Sequence, residues 1–453
     1  MVETMKKDVD VSEFIDSRKF SAYQWWILVI CTLIVAVDGL DLVIISFIIP
    51  GIAHDWGVPK AAFGPVIGAG LFGVAIGALF VGPISDRKGR KPVIFASMVL
   101  CAVGTFGALF SSSITTMVVW RFIAGIGMGA AIPNAGTMMA EYSPKRSRAR
   151  IMAAMYVGFS LGAASAGFAA TRLLPLYGWK GMLVMGGVLP AICAALVLVG
   201  LPESVRFMIV QSASSERIGR VLSRLGNSSC GQDTTFTVPE MQGTRHAPIS
   251  GLFKNGMALG SVLLWIAYFM SLLVYYMLTS WLPSLLVQSG HPVTQAAVVS
   301  SVLMVGGATG SLLIGYFMDK IRPSYVIATA FVLATALFVY IGRGLDSLAA
   351  FEVCAFIAGV LISGPITSMN TLAAEFYPTQ SRASGVSWML GIGRFGGILG
   401  GMMGGQLLAA GWGIGEIFRV LAIPALVSGL ALIYKGWHYG DAHAVRKADV
   451  SSV

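Results

Sequence analysis

The sequence predicts an all-α integral membrane protein of twelve spanning helices, built as two parallel six-helix halves with both termini cytoplasmic. Three observations carry that expectation: an apolar composition, about twelve apolar runs of spanning length, and a repeat that relates the two halves.

Composition overrules length. A chain of 453 residues would ordinarily divide into two or three soluble domains. Here hydrophobic residues make up 56% and charged residues only 11%. So few charges do not coat a soluble globule of this size, whereas lipid asks for none. The 55 glycines fit helices that approach closely without a hydrophobic drive between them. The net charge of +10 does not point to nucleic acid, because the basic residues cluster between apolar runs. Arg87, Lys88, Arg90 and Lys91 form one cluster; Lys145, Arg146, Arg148 and Arg150 form another. Such clusters read as solvated cytoplasmic loops. Cys31, Cys101, Cys193, Cys230 and Cys354 are scattered, with neither metal-site nor disulfide spacing. No cofactor and no metal are expected.

A helical span takes roughly 20 apolar residues. The expected spans are 25–50, 61–83, 92–112, 115–139, 151–171, 181–201, 257–283, 295–317, 323–342, 348–372, 383–410 and 415–436. The first is too long for the apolar core of a signal peptide and reads as a retained span. The domains follow: a cytoplasmic tail 1–24, a six-helix bundle 25–202, a polar cytoplasmic linker 203–255, a second bundle 256–436 and a cytoplasmic tail 437–453. With both termini inside, the inner loops collect Lys6, Lys7, Arg18, Lys19, Lys320, Arg322, Arg382, Arg446 and Lys447. Lys60, Arg172, Lys180, Arg343 and Arg419 are left outside, the asymmetry expected of cytoplasmic loops.

The halves repeat. Ala140-Glu141-Tyr142-Ser143-Pro144 aligns with Ala374-Glu375-Phe376-Tyr377-Pro378, and Gly82 through Asp86-Arg87 aligns with Gly315 through Asp319-Lys320 in nearly the same register. A parallel repeat of six-helix units puts a substrate site between the halves near mid-membrane.

Three elements carry chemistry. The first is Gly82-x-x-x-Asp86-Arg87-x-Gly89-Arg90-Lys91, between the second and third spans. Gly89 permits a tight turn, Gly82 permits close helix contact, and Asp86 can pair with basic residues across a cytoplasmic seam. These residues read as gating and structural parts, as do Asp319 in the second copy and the Glu141/Arg148 and Glu375/Arg382 pairs, expected as ion-pair latches.

The second element is Asp38-Gly39-Leu40-Asp41 in the first span. An acid there costs roughly 2.5–3.5 kcal/mol on insertion scales. Two acids three apart share a helical face, and desolvation and mutual repulsion both favour a bound proton. Asp38 and Asp41 are therefore candidates for proton coupling; the alternative is a helix-packing pair satisfied by hydrogen bonds or a basic partner. The third element is two arginines inside spans, Arg121 and Arg394, whose planar forks suit a carboxylate. A structural role is the alternative for each, for Arg394 as partner of a first-span acid, and both roles can hold in alternate states. In the seventh span Tyr275 and Tyr276 are possible ring contacts, with Trp388 near Arg394 a third.

Together these residues resemble the aromatic acid:proton symporters of the major facilitator superfamily, the 4-hydroxybenzoate and benzoate importers among them. The resemblance runs through Asp38-Gly39-Leu40-Asp41, Asp55-Trp56-Gly57, Arg121 to Glu141-Tyr142-Ser143-Pro144, Leu201-Pro202-Glu203-Ser204, Ser280-Trp281-Leu282-Pro283 and Gly391-Ile392-Gly393-Arg394. It implies alternating access, proton symport of a benzoate or hydroxybenzoate across a bacterial inner membrane, a functional monomer, and required roles for Asp38, Asp41 and Arg394. Leu42-Val43-Ile44-Ile45-Ser46-Phe47 is bulkier than the family's usual run, so the ring substituents stay open, as does another organic anion such as a muconate. One proton per monoanion moves no net charge, and a second would add about 2.3 kcal/mol per 100 mV. Both stoichiometries stay open. No nucleophile–base set or metal cluster lies in the spans, so an enzyme is not expected.

Overall fold

The computed structural model describes residues 7–225, 234–237, 252–253, 256–345, 347–378 and 381–440. Lys6, Cys230, Arg245, Lys254, Arg446 and Lys447 lie outside the described residues, as do 226–233, 238–251 and 254–255 of the linker and 441–453 of the final tail.

A short helix α1 (Val11–Asp16) precedes the first long helix, α2 (Ala22–Trp56). The start of α2 is fixed by a capping box, in which Ser21 and Gln24 satisfy each other's backbone N–H. Its end is set by Gly57 in the left-handed conformation at φ 63°. Then come α3 (Gly64–Lys88), α4 (Arg90–Leu109), α5 (Ile114–Tyr142) and α6 (Arg148–Gly200). The last is two helices joined at Gly178, whose φ of 61° and ψ of −164° interrupt the helical path. The expected loop at 172–180 is thus a single break. Counting α6 as two, the first half supplies six spans.

Between the halves the described part of the linker is not plain coil: α7 (Val205–Val210) and α8 (Ser215–Leu225) form there. In α8, Ile218, Leu222 and Leu225 recur at helical spacing and are buried with Val11 and Ile15 beneath the first half. A two-stranded parallel pairing, β1 (Lys7–Asp10) with β2 (Thr234–Thr237), ties the N-terminal segment to the linker. The second half comprises α9 (Ala258–Gln288), α10 (Val293–Met318), α11 (Pro323–Ile341), α12 (Leu348–Phe376), α13 (Arg382–Ala409) and α14 (Ile414–Tyr439).

Packing repeats as the sequence does. In the first half α2 lies on α6, and α3 and α4 on α5; in the second α9 lies on α13, and α10 on α12. Small residues allow this. A Cβ added at Gly39 would collide with the Phe159 backbone, and one at Gly162 with that of Ala36, so α2 and α6 touch main chain to main chain. Large apolar side chains such as Leu79, Phe110, Leu176 and Val199 are exposed around the outside, a surface made for lipid.

The halves meet through α6 on α10, α3 on α13 and α2 on α9. Several of these contacts lie toward the end opposite the chain termini. There Ser301 Oγ donates to the Ala164 carbonyl at 3.1 Å, and Gly64 and Gly68 lie against Met402.

Candidate functional site

The chemistry gathers where α2, α4, α5, α9 and α13 converge. The length of α2 carries Asp38 and Asp41 to mid-helix, far from either capped end. Their environments differ sharply. Asp41 is 0% exposed and its carboxylate is filled: Arg121 Nη2 donates to Oδ2 at 2.9 Å and Nη1 to Oδ1 at 3.2 Å. Thr105 Oγ1, from α4, donates to the same Oδ1 at 2.9 Å, and Arg121 Nη2 also reaches the Asp41 carbonyl at 3.3 Å. Arg121 is itself 3% exposed. In this conformation its fork is occupied by Asp41 rather than open toward a carboxylate beside Arg394.

Asp38 is 8% exposed, and its Oδ1 is buried without a hydrogen-bond partner among the described residues. The charges that bear on it are Asp41 and, from α13 in the other half, Arg394. Arg394 is partly buried and touches the first half directly, Nη1 donating to the Ala75 carbonyl at 3.4 Å. Its ionisable neighbours are Tyr276, Tyr268 and Asp38. Two glycines make room for those tyrosines: a Cβ at Gly393 would strike the Tyr268 ring, and one at Gly397 the Tyr276 ring at 2.5 Å. Both rings therefore lie against the backbone of α13, Tyr268 next to Arg394 and Tyr276 a turn further on.

Of the expected ring contacts, Tyr276 stands in this group. Tyr275 packs edge-on against it at 5.3 Å, its hydroxyl 4.0 Å from Met304 Sδ. Trp388 lies apart, 41% exposed and paired with Trp265 at 6.1 Å. Thr105 and Tyr268 were missed as site residues. Tyr268 was one aromatic in a crowded span, and a lone threonine in the apolar run of α4 carries no sequence signal. No group of His, Cys, Asp and Glu suited to a metal forms among the described residues.

The model of the Major Facilitator Superfamily matches residues 31–400 and again 264–447. The chain belongs to that superfamily. It is 40% identical to the 4-hydroxybenzoate transporter PcaK of Pseudomonas aeruginosa over 94% of this chain and 96% of that one. It is also 40% identical to a gallate transporter of Pseudomonas putida, over 94% and 95%. Among solved structures it resembles the xylose transporter XylE from E. coli, with a TM-score of 0.70 at 16% identity, covering 93% of this chain and 99% of that one. Its relatives in the superfamily are transporters, and the chain is one too, not an enzyme.

The motif from Gly82 to Lys91 sits where α3 meets α4, at the same end of the bundle as the start of α2. Gly89 takes φ 93°, and a Cβ there would come within 2.5 Å of Glu203 Oε2. Glu203 accepts from the Arg90 and Lys91 backbone N–H groups at 2.9 and 3.2 Å, capping α4 from the segment that follows α6. Arg90 pairs with Glu141 at 3.0 Å, and Ser204 Oγ donates to Glu141 at 2.5 Å. The latch expected between Glu141 and Arg148 is therefore corrected: Arg90 holds Glu141, while Arg148 donates to the Ser143 carbonyl at 3.3 Å and leaves Nε buried without a partner. Glu375 and Arg382 are both exposed and form no ion pair with each other among the described residues. Gly82 is corrected as well, since nothing lies within 4 Å of where its Cβ would be. Asp86, Arg87 and Asp319 are exposed. Asp86, Arg90, Glu141, Arg148 and Arg206 instead border a cleft of about 400 Å³.

Proposed function

We propose that this chain imports an aromatic carboxylate of the benzoate or hydroxybenzoate class, coupled to protons, by alternating access in a bacterial cytoplasmic membrane. The termini lie inside, the working unit is a monomer, and the proton gradient is the energy source. One observation carries this reading: the charge of Arg394 in one half bears on Asp38 in the other, whose buried Oδ1 has no hydrogen-bond partner among the described residues, and Tyr276 and Tyr268 neighbour the same arginine.

A guanidinium in a partly dry cleft binds a carboxylate through two parallel charged hydrogen bonds, and an aromatic ring continues from that carboxylate onto the tyrosine faces. A carboxylate of the α2 acid motif, Asp38 and Asp41, takes up the coupling proton. Relatives named for 4-hydroxybenzoate and gallate support the ring. The halves meet around this mid-height site, where rocking exposes it to each side in turn.

The test is uptake of labelled 4-hydroxybenzoate by cells expressing the chain, with and without a protonophore, against benzoates, muconate and glucose as competitors. Uptake abolished by protonophore and blocked by benzoates is expected. Arg394→Leu should raise the half-saturating concentration at least ~10-fold, the loss of one charged bidentate contact. Competition by muconate or glucose instead of benzoates would sink the aromatic assignment.

A further inference from the structure

The two acids of α2 do not share one task. We infer that Asp38 alone exchanges the coupling proton, while Thr105 and Arg121 hold Asp41 permanently ionised, so that one proton accompanies each monoanion and the cycle moves no net charge. The inference rests on the transport reading above and deepens it.

Geometry separates the acids. Asp41 accepts hydrogen bonds on both oxygens, from a buried bidentate arginine and from Thr105. To protonate it would break those bonds and strand Arg121, 3% exposed, without a counter-charge. Asp38, only 8% exposed, has an oxygen with nothing bonded to it, and an empty acceptor can take a proton without undoing anything. The groups facing these acids complete the account. From α4 they are Cys101 and Thr105, from α5 Arg121, from α9 Tyr276, and from α13 Arg394. From α6 the Phe159 backbone lies against Gly39.

Charge balance then dictates coupling. With no substrate, ionised Asp38 balances Arg394 and the site is neutral. With a monoanion on Arg394, the site is neutral only when Asp38 carries a proton. Those two states have no uncompensated charge to bury when the halves close, whereas protonated-empty and ionised-loaded states each do. The proton comes from the outer water onto the Asp38 carboxylate and leaves to the inner water, and no other bond changes. Asp41 with Arg121 contributes zero net charge throughout. Thr105 is thus a positioning residue that keeps the second acid out of the exchange.

The experiment uses purified protein in vesicles, with the pH gradient and a potassium–valinomycin potential set independently and labelled 4-hydroxybenzoate as probe. A pH gradient alone should drive accumulation; an interior-negative potential alone should drive none. Accumulation driven by potential at equal pH means two or more protons per anion and overturns the inference while leaving proton-coupled transport standing. Exchange of labelled for unlabelled substrate, without any gradient, tests transport itself, and its absence in the wild type overturns both readings. Asp38→Asn should keep at least half of that exchange and lose gradient-driven accumulation more than ~10-fold; loss of both would overturn the assignment. Thr105→Val should make accumulation respond to potential, because Asp41 then joins the exchange, and Thr105→Ser should restore the wild-type indifference. Indifference in both variants removes Thr105 from the scheme.

Discussion

At the scale of single residues, the strongest statement the structure makes is that Asp41 and Arg121 neutralise each other in a dry interior. The chemistry was legible from types and positions alone, since both acids and both arginines interrupt apolar runs. The pairing was not. Eighty residues separate Arg121 from Asp41, and nothing local distinguishes a partner for Asp41 from one for Asp38. Arg394 was equally open, and only the meeting of two halves brings it toward Asp38. The pairing has an energetic consequence. Removing one member of a buried ion pair leaves the other uncompensated and costs about 3–5 kcal/mol. Arg121→Met should therefore lower the melting temperature of the purified protein steeply. Combining it with Asp41→Leu should recover most of that loss, because two apolar groups replace two charges. A double variant as unstable as the single one would show that Arg121 is held by something other than Asp41.

At the scale of helices, the repeat and the apolar runs carried most of the fold, because a span is dictated by length and hydrophobicity rather than by tertiary context. What the sequence hid were features set by packing. The loop expected near 172–180 collapses to a break at Gly178, and the linker yields the helix α8, whose apolar residues Ile218, Leu222 and Leu225 were readable but lay in a stretch dominated by arginines. Glycines divide in the same way. Gly162 is pressed against the Ala36 backbone, so a side chain there must force α6 off α2; Gly82 faces open space. Gly162→Val should cost about 1–3 kcal/mol of stability, as overpacking does, and reduce the yield of folded protein. Gly82→Ala should leave stability within about 0.5 kcal/mol. Thermal denaturation in detergent compares them directly, and equal losses would mean that the close contact of α2 and α6 does not limit stability.

At the scale of the whole molecule, the two halves touch toward the end away from the termini, and alternating access requires that these contacts part. Ser301 on α10 marks that seam: it donates to the Ala164 carbonyl, and a Cβ added at Gly167 would overlap its hydroxyl oxygen. Cysteines at both positions, Gly167→Cys with Ser301→Cys, are therefore near enough for a disulfide that staples this seam. The native cysteines described form no disulfide with one another, so a bridge that reductant reverses reports the engineered pair. Oxidised protein should be confined to one side of the cycle. It should bind 4-hydroxybenzoate with an affinity within about 3-fold of the reduced form, because the site around Arg394 is not strained by the staple. Uptake should fall by at least ~10-fold and return on reduction, since the proposed alternating access opens the seam once per molecule carried. Full uptake by the oxidised protein would mean that the halves do not separate at Ser301, and the rocking motion would have to be replaced by one confined to α3 and α13.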